Sequence, residues 1–165
     1  MDLARVARHL LVLPGAAKRA FPAPAMAAIE QAIRRGEAAH SGEVRFAVEP
    51  ALDPAALFAG QSARERALEV FSLLRLWDTA ERNGVLIYLL LADRDIEIVA
   101  DRGASAKVTG EEWEAICRSM EAELRHGRYG EAVAGGIDAA SRLLARHFPQ
   151  RGVDRNELPD RPVTL

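Results

Sequence analysis

A single cysteine, Cys117, among 165 residues leaves no partner for an internal disulfide and fits a reducing compartment. The four histidines, His9, His40, His126 and His147, lack the spacing of a zinc site, and no His-Glu-x-x-His occurs. There is no Gly-x-Ser-x-Gly elbow, no phosphate-binding P-loop and no dinucleotide fingerprint. The longest apolar run, Val85 to Ala92, is too short to span a bilayer. A formal net charge of −2 gives no global attraction for nucleic acid or an anionic membrane. The N-terminus has no secretory apolar core: Leu10-Leu11-Val12-Leu13 is brief and closely preceded by Arg5, Arg8 and His9. The expected location is cytoplasmic, with peripheral membrane attachment as the further option. No internal repeat and no low-complexity stretch is visible.

What is present is an ordinary globular composition, 49% hydrophobic and 28% charged, enough for one domain with a real core. Its organising stretch is residues 83–103. The apolar run Val85–Ala92 reads as a strand buried on both faces. Asp93-Arg94 makes a polar turn. Ile96 and Ile98 then alternate with Asp95 and Glu97, the period of a strand with one wetter face.

Residues 1–22 carry Arg5, Arg8, Lys18 and Arg19 against Asp2, with Leu3, Val6, Leu10 and Leu13 at helical spacing. This basic segment reads as a short helix packed on the domain or as a membrane-surface or partner-binding element. Pro24 suits the first turn of a helix whose apolar face is Met26, Ile29 and Ile33 and which ends near residues 40–42. Strict alternation over 43–49 predicts a strand with Val44, Phe46 and Val48 on one face and Glu43, Arg45 and Glu49 on the other. Ser62 with Glu65, and Thr109 with Glu112, form capping-box patterns. After the first, Leu68, Phe71, Leu74 or Val70, and Trp77 are expected on the buried face. After the second come Trp113, Ile116, Cys117, Met120 and Leu124, with Gly127 placed to end the helix. A last helix is expected from about Gly130 to His147, and residues 149–165 as an extended tail. The long connection between the first two strands suits a crossover between parallel neighbours. The expected fold is α/β, a three-layer α/β/α sandwich with a small mixed sheet, over residues 23–148.

Three features together resemble the TPM domain, the thylakoid-lumen phosphatase-like domain: Asn83-Gly84-Val85-Leu86-Ile87 with its Asp-Arg turn and following strand; Val108-Thr109-Gly110-Glu111-Glu112; and Arg125-His126-Gly127-Arg128-Tyr129 before a glycine-containing last helix. The chain looks like a small stand-alone bacterial-type member, similar over roughly residues 24–148. Many members of that family are exported or membrane-tethered, and a plant branch has acid phosphatase activity. The family's Gly-Tyr-Gly-like stretch after the hairpin reads Asp101-Arg102-Gly103 here and shares only the glycine.

The remaining candidates for chemistry are oxygen donors, which suit calcium or magnesium. The topology sorts them by sheet edge. Asp78 and Asn83 precede the central strand and meet Asp101, Arg102 and Gly103 at one edge, the preferred metal site, with Arg102 and Gly103 placed to hold an anionic ligand. Asp93 and Asp95 lie at the other edge with the loop after Glu49, including Asp53, and are the alternative. An apolar strand followed by Asp93-Arg94-Asp95 also matches a haloacid-dehalogenase nucleophile, but a hairpin explains Ile96–Val99 better. Two functions follow. One is a non-catalytic or regulatory module that binds a divalent cation, needs no organic cofactor, and associates with an envelope or membrane-related protein partner. The other is a weak metal-assisted phosphatase for phosphomonoesters.

Overall fold

The computed structural model describes residues 2–152 and 156–165. Two short helices open the chain, α1 (Leu3–Leu10) and α2 (Ala16–Ala20), followed by α3 (Ala23–Glu37). Strand β1 (Val44–Glu49) leads through α4 (Pro54–Phe58) and α5 (Ala63–Leu73) to the hairpin β2 (Val85–Leu90) and β3 (Asp95–Ala100). Then come α6 (Arg102–Ser105), α7 (Gly110–Arg125), α8 (Tyr129–His147) and β4 (Val163–Thr164).

The sheet has the order β3-β2-β1-β4. β1 runs parallel to β2 and to β4, and β2 runs antiparallel to β3. Two cores lie on its two faces. Val44, Phe46, Val48, Val85, Ile87, Leu89, Ile96 and Ile98 face α3, α7 and α8. Ala47, Leu86, Tyr88, Leu90 and Val99 face α4 and α5. The period-2 alternation of each strand therefore feeds both layers, and the result is the expected α/β/α sandwich.

Both capping boxes form, Ser62 with Glu65 and Thr109 with Glu112, and fix where α5 and α7 begin. Gly127 takes the left-handed conformation that ends α7. The structure refines the sequence reading at three places. β1 is buried along its whole length, because β2 and β4 flank it and helices cover both faces, so Glu43, Arg45 and Glu49 are inside. The buried face of α5 is Ala63, Ala67, Val70 and Phe71; Leu68 and Trp77 are exposed. The helix stops at Leu73, Arg75 turns left-handed, and Trp77 lies beyond the end. Within the extended tail, residues 163–164 form the fourth strand, set beside Ala47 and Val48.

Helix α1 packs on the domain rather than standing off it. His9 is buried, and Val6 rests on the α5-side core, while Leu3, Leu10, Leu11 and Leu13 stay exposed. Among the described residues, no helix is long and apolar enough to cross a membrane.

Candidate functional site

The two sheet edges singled out from the sequence carry different chemistry in the fold. At the first, the start of β2 meets the end of β3. The Asp101 amide donates to the Gly84 carbonyl at 2.9 Å and the Gly103 amide to the Arg82 carbonyl at 2.8 Å. A side chain on Gly103 would overlap the carbonyl oxygens of Glu81 and Arg82, so glycine there is a requirement of close backbone approach. Asn83 is fully buried. Its backbone amide donates to Thr79 Oγ1 at 3.1 Å, and its Nδ2 donates to Ser41 Oγ at 3.3 Å and Glu81 Oε2 at 3.2 Å. Asp101 caps α6, with Oδ1 accepting from the Arg102 amide at 2.7 Å.

Two oxygens remain. Asn83 Oδ1 and Asp101 Oδ2 are buried and have no hydrogen-bond partner among the described residues. A buried acceptor left in this state is costly, so each marks a place where a donor or a cation would be held. Asp78 does not join them. Its carboxylate is half exposed and paired with Arg75 at 2.6 Å. Arg102 is exposed at the start of α6. Among the described residues, no three His, Cys, Asp or Glu side chains gather in a group that could hold a metal ion. Donors at this edge would have to include the Asn83 amide oxygen.

At the second edge Asp93 is clamped by α1. Arg5 Nε lies 2.8 Å and His9 Nε2 3.1 Å from Asp93 Oδ2, and Arg8 Nη2 lies 3.3 Å from Oδ1. The loop after β1 does come to this place, through His9: the Leu52 amide donates to His9 Nδ1 at 3.0 Å. Burial pushes the Asp93 carboxyl up, but the hydrogen bonds from Arg5 and His9 and the Arg5 charge outweigh it and hold the group below its ordinary value. Asp95 goes the other way, raised by burial and then by the Asp93 charge beside it. Asp53 caps α4.

The sign of the Asp93 shift sets a pH window. A carboxyl lowered on folding adds stability above its unfolded value and loses it as pH falls through the folded one, below about pH 4. Asp95, raised, works against folding when ionised and is relieved on protonation. Amide exchange in α1 should therefore quicken below about pH 4 while the β2 amides stay protected. Asp93→Asn should quicken α1 exchange at neutral pH as well. Unchanged α1 protection in that variant would show that the clamp does not hold the helix.

One constellation escaped the sequence reading. Glu49 Oε2 accepts from the Tyr88 hydroxyl at 2.7 Å and from Arg66 Nε at 2.9 Å, and Oε1 accepts from Arg66 Nη2 at 3.1 Å. Burial, then the bond to Glu49, raises the Tyr88 phenol; the same carboxylate raises Arg66. Nothing local in the sequence ties Glu49 to Arg66 or to Tyr88.

A TPM domain model matches residues 19–143, which takes in α3, the whole hairpin, both acidic edges and most of α8. The chain belongs to the TPM domain family. A solved relative is the BA42 protein of the psychrophilic bacterium Bizionia argentinensis, 29% identical, with a TM-score of 0.77 over 87% of this chain and 94% of that one. The N-terminal domain of a protein from P. gingivalis shares the fold at 17% identity, with a TM-score of 0.58 over 74% of this chain and 76% of that one. No curated protein matches. The TPM model begins beyond α1, so Arg5 and His9, which clamp Asp93, lie outside the matched region. Cys117 also finds its place within the TPM fold: half-buried on α7, its thiol is pushed up to about 12 by burial and then by Glu97, which makes it a poor nucleophile at neutral pH.

Proposed function

We propose that this TPM domain works as a binding module rather than a hydrolase, and that it takes a hydrated calcium or magnesium ion where β2 starts and β3 ends. The observation that supports this is the pair of buried, unpartnered oxygens, Asn83 Oδ1 and Asp101 Oδ2, carried on segments hydrogen-bonded to each other. Amide and carboxylate oxygens suit a hard cation, and magnesium in particular is held through one or two carboxylates while keeping several waters. Three other acidic side chains are already committed within the fold: Asp78 to Arg75, Asp93 to α1, Glu49 to Arg66 and Tyr88. A cation at this edge would tie the hairpin end to the turn before it and change the surface that α6 presents.

Calcium and magnesium titrations of isotope-labelled, chelator-stripped protein test this directly. Amide shifts should cluster at Asn83, Gly84 and Asp101–Gly103, and Asp101→Asn should weaken them about tenfold, the loss of one charged ligand. Shifts centred on Asp93 and Asp95 would move the ion to the clamped edge. Shifts nowhere at millimolar cation would remove the ion from the proposal.

A further inference from the structure

At the opposite end of the sheet, away from the hairpin, a groove of about 990 Å³ opens between the α2–α3 region and residues 159–164. Phe21, Met26 and Pro162 supply apolar wall, and Lys18, Arg45 and Arg161 supply positive charge. Among the described residues Glu30 is the one acid lining it, and its carboxylate is already paired with Arg34.

Arg45 is the unusual member. It sits on β1 ahead of Ala47, where the pairing with β4 begins, so the chain at 159–162 passes beside it without adding a strand. Its side chain is only 9% exposed, and Nε is buried with no hydrogen-bond partner among the described residues. Burial lowers the guanidinium from its ordinary value, and the charge of Asp160 offsets part of this. Asp160, however, gives one oxygen to Arg34 and the other to Asn156. An arginine keeps its proton in such a place, so the cost of burial falls on an unsatisfied cation. An anion entering the groove would relieve it, and the apolar wall would favour one that is not simply inorganic.

We propose that this groove binds a small amphipathic organic anion, a carboxylate on a short alkyl or aromatic body. The acid group meets Arg45, Lys18 and Arg161 add positive charge at the exposed rim, and the body lies on Phe21, Met26 and Pro162. The site is independent of the cation edge, which lies at the start of β2 and the end of β3 on the other side of β1.

Octanoate is a suitable probe, with octanol and inorganic phosphate as its two halves. Titrated into the labelled full-length protein, octanoate should give saturable shifts at Ala17, Phe21, Arg45 and Val163. Octanol and phosphate should each bind at least about tenfold more weakly, the value of one charge-assisted contact or of a short buried chain. Arg45→Met should weaken octanoate by about tenfold. The double variant Lys18→Gln, Arg161→Gln alters two exposed side chains and should weaken it several-fold without touching the core. Octanol binding as tightly as octanoate, phosphate binding as tightly, shifts outside the groove, or variants that bind octanoate like the parent would each overturn the proposal. Should Arg45→Met not fold, the rim variant and the three-probe comparison decide alone.

Discussion

Gly84→Ala is expected to cost about 3 kcal/mol of stability, at the upper end of what forced overpacking does. Gly84 begins the central strand, directly before Val85, and a methyl there would overlap the Leu76 carbonyl oxygen. Unlike a side chain, that carbonyl has little freedom to move. Leu76 is fully buried in the α5-side core and its amide donates to the Phe71 carbonyl at 3.2 Å, so backing it away disturbs the end of α5. Gly136 makes an instructive contrast: a methyl there would meet the flexible end of Met120, which can change rotamer. Urea denaturation should show Gly84→Ala with a much lower midpoint and Gly136→Ala with a smaller change. A Gly84→Ala midpoint equal to that of the parent would mean that the Leu76 turn yields freely.

The second large effect is at Glu49. Glu49→Ala removes the acceptor for the buried Tyr88 hydroxyl and for both Arg66 contacts at once. Breaking a fully buried pair costs roughly 3–5 kcal/mol, but Arg66 retains some solvent access, so about 2–3 kcal/mol is the reasonable expectation. Tyr88→Phe removes one partner and should cost about 1 kcal/mol. The two effects should not add. In the double variant the phenylalanine leaves no orphaned hydroxyl, and the loss should be smaller than the sum by about 1 kcal/mol. A strictly additive cycle would mean that the hydroxyl finds another acceptor once Glu49 is gone.

How far this was legible from the sequence follows the range of the interactions. Capping boxes act over three residues and the hairpin turn over a few, and Ser62, Thr109 and Asp93-Arg94 end up where their patterns put them. Gly103 was read as a point of close backbone approach, and it lies against the carbonyls of residues 81 and 82. Alternation along β1 separated its two faces, but it could not show that Glu49 is buried. Its burial depends on Arg66 and Tyr88 being brought to it by other elements. On α5, helical spacing put Leu68, Phe71 and Trp77 on one buried face; Phe71 is there, whereas Ala63 and Ala67 pack close to the sheet and Leu68 is left outside. The grip of Arg5 and His9 on Asp93 joins residues far apart in the chain and has no periodic signature at all. Of the preferred edge, Asn83 and Asp101–Gly103 are brought together through their backbones, while the pairing of Asp78 with Arg75 was set by a local turn.

The sheet order also has a consequence for biosynthesis. β1 finds its partner β2 only after α5 has been made, and its other neighbour, Val163–Thr164, emerges last of all the strands. Until then one side of β1 is an open row of backbone donors and acceptors on a nascent chain. Neighbouring nascent chains carrying the same exposed row can pair with it. β4 is only two residues long, yet it is the last strand to cover that side of β1, at Ala47 and Val48.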